Sequence, residues 1–103
     1  MAGFGNLMKQ AQEMQKKLAA VQEKLSASRA EGTAGGGVVK AVVNGKRELV
    51  ALEIKPEVVN PADVRMLEDL ILAAARQGLK KAKDLANDEM AKVTGGVVPP
   101  GLF

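Results

Sequence analysis

Residues 33–56, TAGGGVVKAVVNGKRELVALEIKP, decide the fold. Three consecutive glycines open into an apolar run, Asn44-Gly45 interrupts it, and a second apolar run stops at Pro56. Asn-Gly between two alternating runs is the strongest short hairpin signal, since a type I′ turn needs positive φ at both central residues. That turn would pair Val43 with Lys46, Ala41 with Glu48 and Val39 with Val50. Val39, Ala41, Val43, Val50, Leu52 and Ile54 then share one face, and Val38, Lys40, Val42, Leu49, Ala51 and Glu53 the other. The second face is half apolar, more than a sheet covered on one side requires. The glycines make the preceding turn, with residues 28–34 as a weaker edge strand.

Two helical patterns flank this sheet. On the N-terminal side Leu7, Ala11, Met14, Leu18, Val21 and Leu25 recur at alternating steps of four and three, a heptad seam narrower than the stripe of an ordinary surface helix. With Asn6 as N-cap, the helix runs from Leu7 to about Ser28 and is roughly 33 Å long. A domain of this length has a radius of gyration of only ~13 Å, so part of the rod must protrude or be covered by another chain. On the C-terminal side Asn60-Pro61-Ala62-Asp63 combines an N-cap, a proline at the first helical position and an acid in the first turn. The stripe there reads Leu72, Ala75, Leu79, Ala82, Ala86 and Val93, with Met90 beside it and Leu67, Leu70 and Ile71 widening its start. Gly78 is a candidate break, and Gly95-Gly96 stop the helix.

The expectation is one α+β domain over 1–103: a helical arm at 7–30, a three-stranded antiparallel meander at 28–55, a helical region at 61–94 and a flexible tail at 95–103. The length of the helices and the second apolar face point to a homodimer. One sheet face lies under its own helices, and Val38, Val42, Leu49 and Ala51 on the other meet the partner subunit.

Composition narrows the function. The 103 residues include no His, Cys, Tyr or Trp, and the two Phe are Phe4 and Phe103. Acid–base and nucleophilic catalysis lose their usual groups, and thiolate metal sites are excluded. Asp84, Asp88 and Glu89 read as a solvated helix face paired with Lys80 and Lys81 rather than as metal ligands. The glycine cluster opens a strand and lacks the Lys-Ser/Thr of a phosphate loop. Neither an enzyme nor a cofactor or small-molecule substrate is expected. Met1–Asn6 lacks the basic flank and apolar run of a signal peptide, and no stretch has the length of a membrane span, so a cytoplasmic location is expected.

The net charge is +3, unevenly spread. Residues 7–30 carry five basic and two acidic side chains, while residues 56–103 carry six and seven. On the heptad frame Lys9 and Lys16 share one outer position, and Lys17 and Lys24 the next. Arg76, Lys80 and Lys83 form a second ridge at steps of four and three. Two basic ridges on protruding rods suit the phosphates of a duplex. Single strands are read by aromatic stacking, which the body of this chain lacks. The competing class is a coiled-coil adaptor or chaperone using Met8, Met14 and Leu18, since Met-rich surfaces repack around partners.

The segments GNLMKQAQEMQKKL (5–18), EGTAGGGVVKAVVNGKRELVALEI (31–54), MLEDLILAAARQGLKKA (66–82) and GGVVPPGLF (95–103) together resemble the YbaB/EbfC family of bacterial nucleoid-associated proteins. The resemblance covers nearly the whole chain in order. It implies a tweezer-like homodimer whose helical arms bind double-stranded DNA and help organise the nucleoid. The family's aromatic and Asn after the Leu-Glu-Asp-Leu turn are replaced by Ala75-Arg76-Gln77-Gly78, and the Gly-rich tail is abbreviated.

Overall fold

The computed structural model describes residues 2–94 as α1 (Ala2–Ala27), β1 (Ala30–Ala34), β2 (Val39–Val43), β3 (Leu49–Ile54), a 3₁₀ turn at Pro56–Val58 and α2 (Val64–Thr94). The expected helix stop at Gly95-Gly96 and the tail at 95–103 lie outside the described residues. The three strands form one antiparallel sheet in the order β1-β2-β3. The chain is drawn out to 73 × 21 × 17 Å with a radius of gyration of 19.2 Å, well above the ~13 Å of a compact domain of this size.

The α1 helix begins at Ala2, so Asn6 lies inside it and is not its cap. Gly3 and Gly5 each cost a helix only about 1 kcal/mol, which weakens the first turns without ending them. At the other end the free carbonyls find donors. Ser28 Oγ donates to the Lys24 carbonyl at 2.7 Å, and Arg29 Nη1 to those of Ser26 and Ser28 at 3.0 and 2.8 Å. The Gly45 amide donates to the Leu25 carbonyl at 2.8 Å. The hairpin loop thus closes the end of the arm helix.

That use of Gly45 changes the expected turn. Positive φ in this loop falls on Arg47, at 65°, and not on Asn44 or Gly45. Gly45 is small because α1 sits on it: a Cβ there would lie 2.7 Å from Leu25 Cδ2 and 2.9 Å from its Cα. Asn44 is buried. Its Oδ1 accepts from the Lys46 and Glu48 amides, each at 3.0 Å, and its Nδ2 donates to Glu48 Oε1 at 2.8 Å. The wider loop moves the register. Val39 pairs with Ile54, Ala41 with Leu52, Val42 with Ala51 and Val43 with Leu49, with a bulge beside Val43. Losing the Asn44 amide group strands buried or half-buried donors, so Asn44→Ala is expected to cost ~1–3 kcal/mol in a urea melt.

The bulge carries Leu49 across the sheet. Residues paired across strands point to the same side, so Leu49 joins Val43 on the helix-facing side. It parts from Val42 and Ala51, with which strict alternation had grouped it. The face left to Val42 and Ala51 also carries Lys40, whose ammonium lies 3.0 Å from Glu53 and 3.8 Å from Glu31. The hydrogen bond to Glu53, with the charge of Glu31 behind it, raises the Lys40 pKa.

The α2 helix is a single unbroken run, so Gly78 is not a break. Asp63 caps it, its Oδ1 accepting from the Met66 amide at 3.2 Å. Asn60 makes the turn before it, accepting from the Ala62 amide through Oδ1 and the Asp63 amide through its carbonyl. The helix lies across β1 and β2 along a line of small residues. Ala74, Gly78, Ala82 and Ala86 are buried, whereas Leu72 and Leu79 are 48% and 39% exposed. The buried line is therefore rotated from the expected stripe. The reason is Gly32 of β1: a Cβ there would run into the Ala74 carbonyl and the Gly78 backbone. The two backbones touch, so the contact line takes the smallest side chains and turns the leucines outward.

Among the described residues, two clusters of buried side chains can be distinguished. One joins Val39, Ala41 and Ala74 with half-buried Leu67, Leu70, Ile71 and Ile54. The other joins Val21 and Leu25 of α1 to Ala86 of α2.

Candidate nucleic-acid interface

The arm is the part of α1 that α2 does not reach. The C-terminus of α1 arrives at the sheet and α2 leaves it by its own C-terminus, so the two run antiparallel. They meet along Val21, Leu25 and Ala86, with Leu85 and Val93 packed beside them. From residue 3 to residue 17 every α1 side chain is exposed, a projection of roughly 22 Å.

Lys9, Lys16 and Lys17 stand on this projection, exposed and without an ion pair among the described residues. Lys9 and Lys16 are one heptad apart, about 10 Å along the axis. Lys24 sits differently. Its Nζ lies 2.9 Å from Glu89 Oε2, and Lys92 Nζ lies 3.0 Å from Oε1 of the same carboxylate. The Glu89 side chain is only 10% exposed, so it is a buried clasp between α1 and α2 and not the solvated face expected beside Lys80 and Lys81. Hydrogen bonds from Lys24 first, then Lys92, lower its pKa against the pull of burial. Nothing in the spacing of Asp84, Asp88 and Glu89 separates the third from the others; only the position of α1 does.

A lowered carboxylate pKa places this contribution above the unfolded value, about 4.3 for Glu. It is present at neutral pH and is lost as pH falls through the lower value of the folded state. Glu89→Gln is expected to loosen the arm already at pH 7, read as faster amide exchange at Val21 and Leu25. The wild-type arm should loosen in the same way only in acid.

Arg76, Lys80 and Lys83 are all exposed on α2. Arg76 and Lys80 flank Gly78 by two residues on either side, about 160° around the helix from the line that touches the sheet. This second ridge does not join the first. From the Lys24–Glu89 contact it is six residues back along α2 to Lys83 and seven back along α1 to Lys17, so the ridges are ~20 Å apart along the molecule. One subunit carries two cationic stations on an extended rod.

The remaining expected residues divide. Leu49 is exposed on β3, Val42 and Val38 are half-buried, Ala51 is exposed, and Val38 packs beside the Val39 cluster. Gln77 reaches the free edge of β1, its Oε1 accepting from the Thr33 amide at 2.8 Å. The opposite flank of α2, with Leu72 and Leu79, therefore looks over β3, whose Leu49, Val50 and Leu52 are all exposed. No helix among the described residues is long and apolar enough to cross a membrane.

Two long helices on a three-stranded antiparallel sheet, drawn out into a lysine-bearing arm, define an elongated α+β protein. The chain belongs to the YbaB/EbfC DNA-binding family, whose profile matches residues 1–97. It is 54% identical to a nucleoid-associated protein of Thermoanaerobacter pseudethanolicus over 97% of this chain and 90% of that one. It is 56% identical to a nucleoid-associated protein of Clostridium perfringens over 100% of this chain and 92% of that one. Its fold matches the crystal structure of an uncharacterized protein from Helicobacter pylori, with a TM-score of 0.80 at 24% identity, over 89% of this chain and 97% of the other.

Proposed function

We propose that this protein binds double-stranded DNA as a homodimer, chiefly through backbone phosphates, and acts in the bacterial nucleoid as its named relatives do. The observation that carries this reading is the arm: Lys9, Lys16 and Lys17 exposed on a projecting helix, free of acidic partners among the described residues. Arg76, Lys80 and Lys83 extend the footprint along the rod. Lys24 contributes less, because Glu89 already holds its charge. A regular helix studded with lysines and lacking clustered arginines touches phosphates more readily than it reads base edges. A mobility shift of a random-sequence duplex at low salt tests the reading. An unshifted duplex would leave the adaptor as the better account of the arm.

The dimer contact follows from what α2 leaves open. The β3 strand is an edge with unpaired backbone groups, and Leu49, Val50, Leu52, Leu72 and Leu79 are exposed along it and above it. Such an edge is covered in a soluble protein or it aggregates. A second copy placed here buries Leu49 on the helix-facing side. The alternative contact, through Val38, Val42 and Ala51, brings the Glu31–Lys40–Glu53 cluster against its own copy. Leu52→Lys is expected to shift sedimentation from dimer to monomer, and Val42→Lys to leave it unchanged. The reverse pattern would move the interface to the outer face.

A further inference from the structure

The strand order leaves β1 and β3 as the two edges of the sheet. Along an antiparallel strand, residues alternate between bonding the neighbour and turning N–H and C=O the other way. The Lys55 amide donates to the Val38 carbonyl at 2.8 Å, so Val38, and by alternation Lys40 and Val42, turn toward β3. Val39, Ala41 and Val43 then bond to Ala34, Gly32 and Ala30 of β1. The backbone groups of Glu31 and Thr33 therefore point out from the β1 edge. By the same alternation Leu52 and Ile54 point out from β3, since Ala51 and Glu53 face Val42 and Lys40.

The two edges are not equal. Lysine or proline usually blunts an edge strand, and β1, Ala-Glu-Gly-Thr-Ala, has neither. Its one charge, Glu31, lies 3.8 Å from the Lys40 ammonium. What β1 has is Gln77, whose Oε1 accepts from the outward Thr33 amide at 2.8 Å. The backbone contact between Gly32 and Gly78 holds the neighbouring Gln77 over this edge. The carboxamide takes the donor that a fourth strand would need and stands in its place.

We propose that Gln77 closes the β1 edge to strand addition, so that a second copy of this chain can pair only at β3. This rests on the reading of β3 as the dimer contact. Pairing of β3 with β3 is isologous and stops at two subunits, whereas β1 of one copy on β3 of the next repeats without closing. With both edges open the chain has a route to unlimited sheet growth. Gln77 removes it.

Sedimentation velocity over a range of concentrations, combined with amide exchange, tests the assignment. Gln77 is exposed, and alanine is a better helix former, so Gln77→Ala leaves the fold intact. The variant is expected to exchange the Thr33 amide faster and to grow with concentration into species larger than those of the wild type. Gln77→Glu keeps an acceptor and should match the wild type in both measurements. Adding Thr33→Pro to Gln77→Ala removes the outward amide at a position where an edge strand tolerates proline, and growth should cease. Gln77→Ala that sediments as the wild type does would reduce the hydrogen bond to a structural detail and overturn the proposal. Growth that persists with Thr33→Pro would overturn it too, by placing the association elsewhere. A wild type that sediments as a monomer defeats the dimer reading alone, because the closed edge is judged by the difference between Gln77→Ala and wild type.

Discussion

Raising salt from 50 to 200 mM is expected to weaken duplex binding by about 10³–10⁵, the loss that accompanies six to ten phosphate contacts. Two arms with Lys9, Lys16 and Lys17 supply six cations, and the Arg76, Lys80 and Lys83 stations add to them. Each phosphate contact contributes about 0.9 to the slope of log K against log salt. Replacing Lys9, Lys16 and Lys17 by Gln in both arms should therefore flatten that slope by roughly 5. Affinity should fall for every sequence by a similar factor, because phosphates look alike everywhere. A variant that lost only one preferred site would show base readout, and an unchanged slope would remove the arm from the interface. Lys24→Gln makes an informative comparison. Its charge is already held at Glu89, so it should disturb the α1–α2 clasp more than the salt slope.

The largest effect on folding is expected from Gly32→Ala. A single methyl there meets the Ala74 carbonyl and the backbone of Gly78, atoms that no rotamer change can move. Overpacking of flexible cores costs about 1–3 kcal/mol, and a contact that forces a helix off its sheet costs more. Against a total stability of ~5–15 kcal/mol, the chain should be largely unfolded or melt far below the wild type by circular dichroism. Gly78→Val tests the same contact from the helix side, where a Cβ would lie 2.9 Å from Val43 Cγ2. Gly5→Ala is the control. Nothing lies within 4 Å of its added methyl, and it should gain about 1 kcal/mol of helix propensity. Equal melting of Gly32→Ala and wild type would show that α2 does not rest on β1 as described.

Local chemistry accounts for what was legible before folding. Heptad spacing marked the α1 seam, Val21 and Leu25 included, because a helix returns a residue to the same side every seven positions. The run at residues 35–37 read correctly as a turn: all three glycines have positive φ, from 62° to 96°. The hairpin was foreseen but not its register, since a glycine after Asn44 serves a tight turn and a close neighbour equally well. Here the neighbour is Leu25, about twenty residues away in the chain. The α2 stripe was displaced for a related reason. Hydrophobicity ranks Leu72 and Leu79 above Gly78, whereas contact between two backbones ranks glycine first.

The sequence alone determined the elements and their order, the projecting basic helix and the family to which these segments belong. All of these rest on spacing, turn chemistry and composition, which act over a few residues. Only the tertiary structure decided which side of α2 meets the sheet, where Leu49 points, and that Glu89 pairs with Lys24 across the two helices. Each depends on how closely two distant backbones approach or on which charges a buried carboxylate finds, and those distances exist only once the chain has packed.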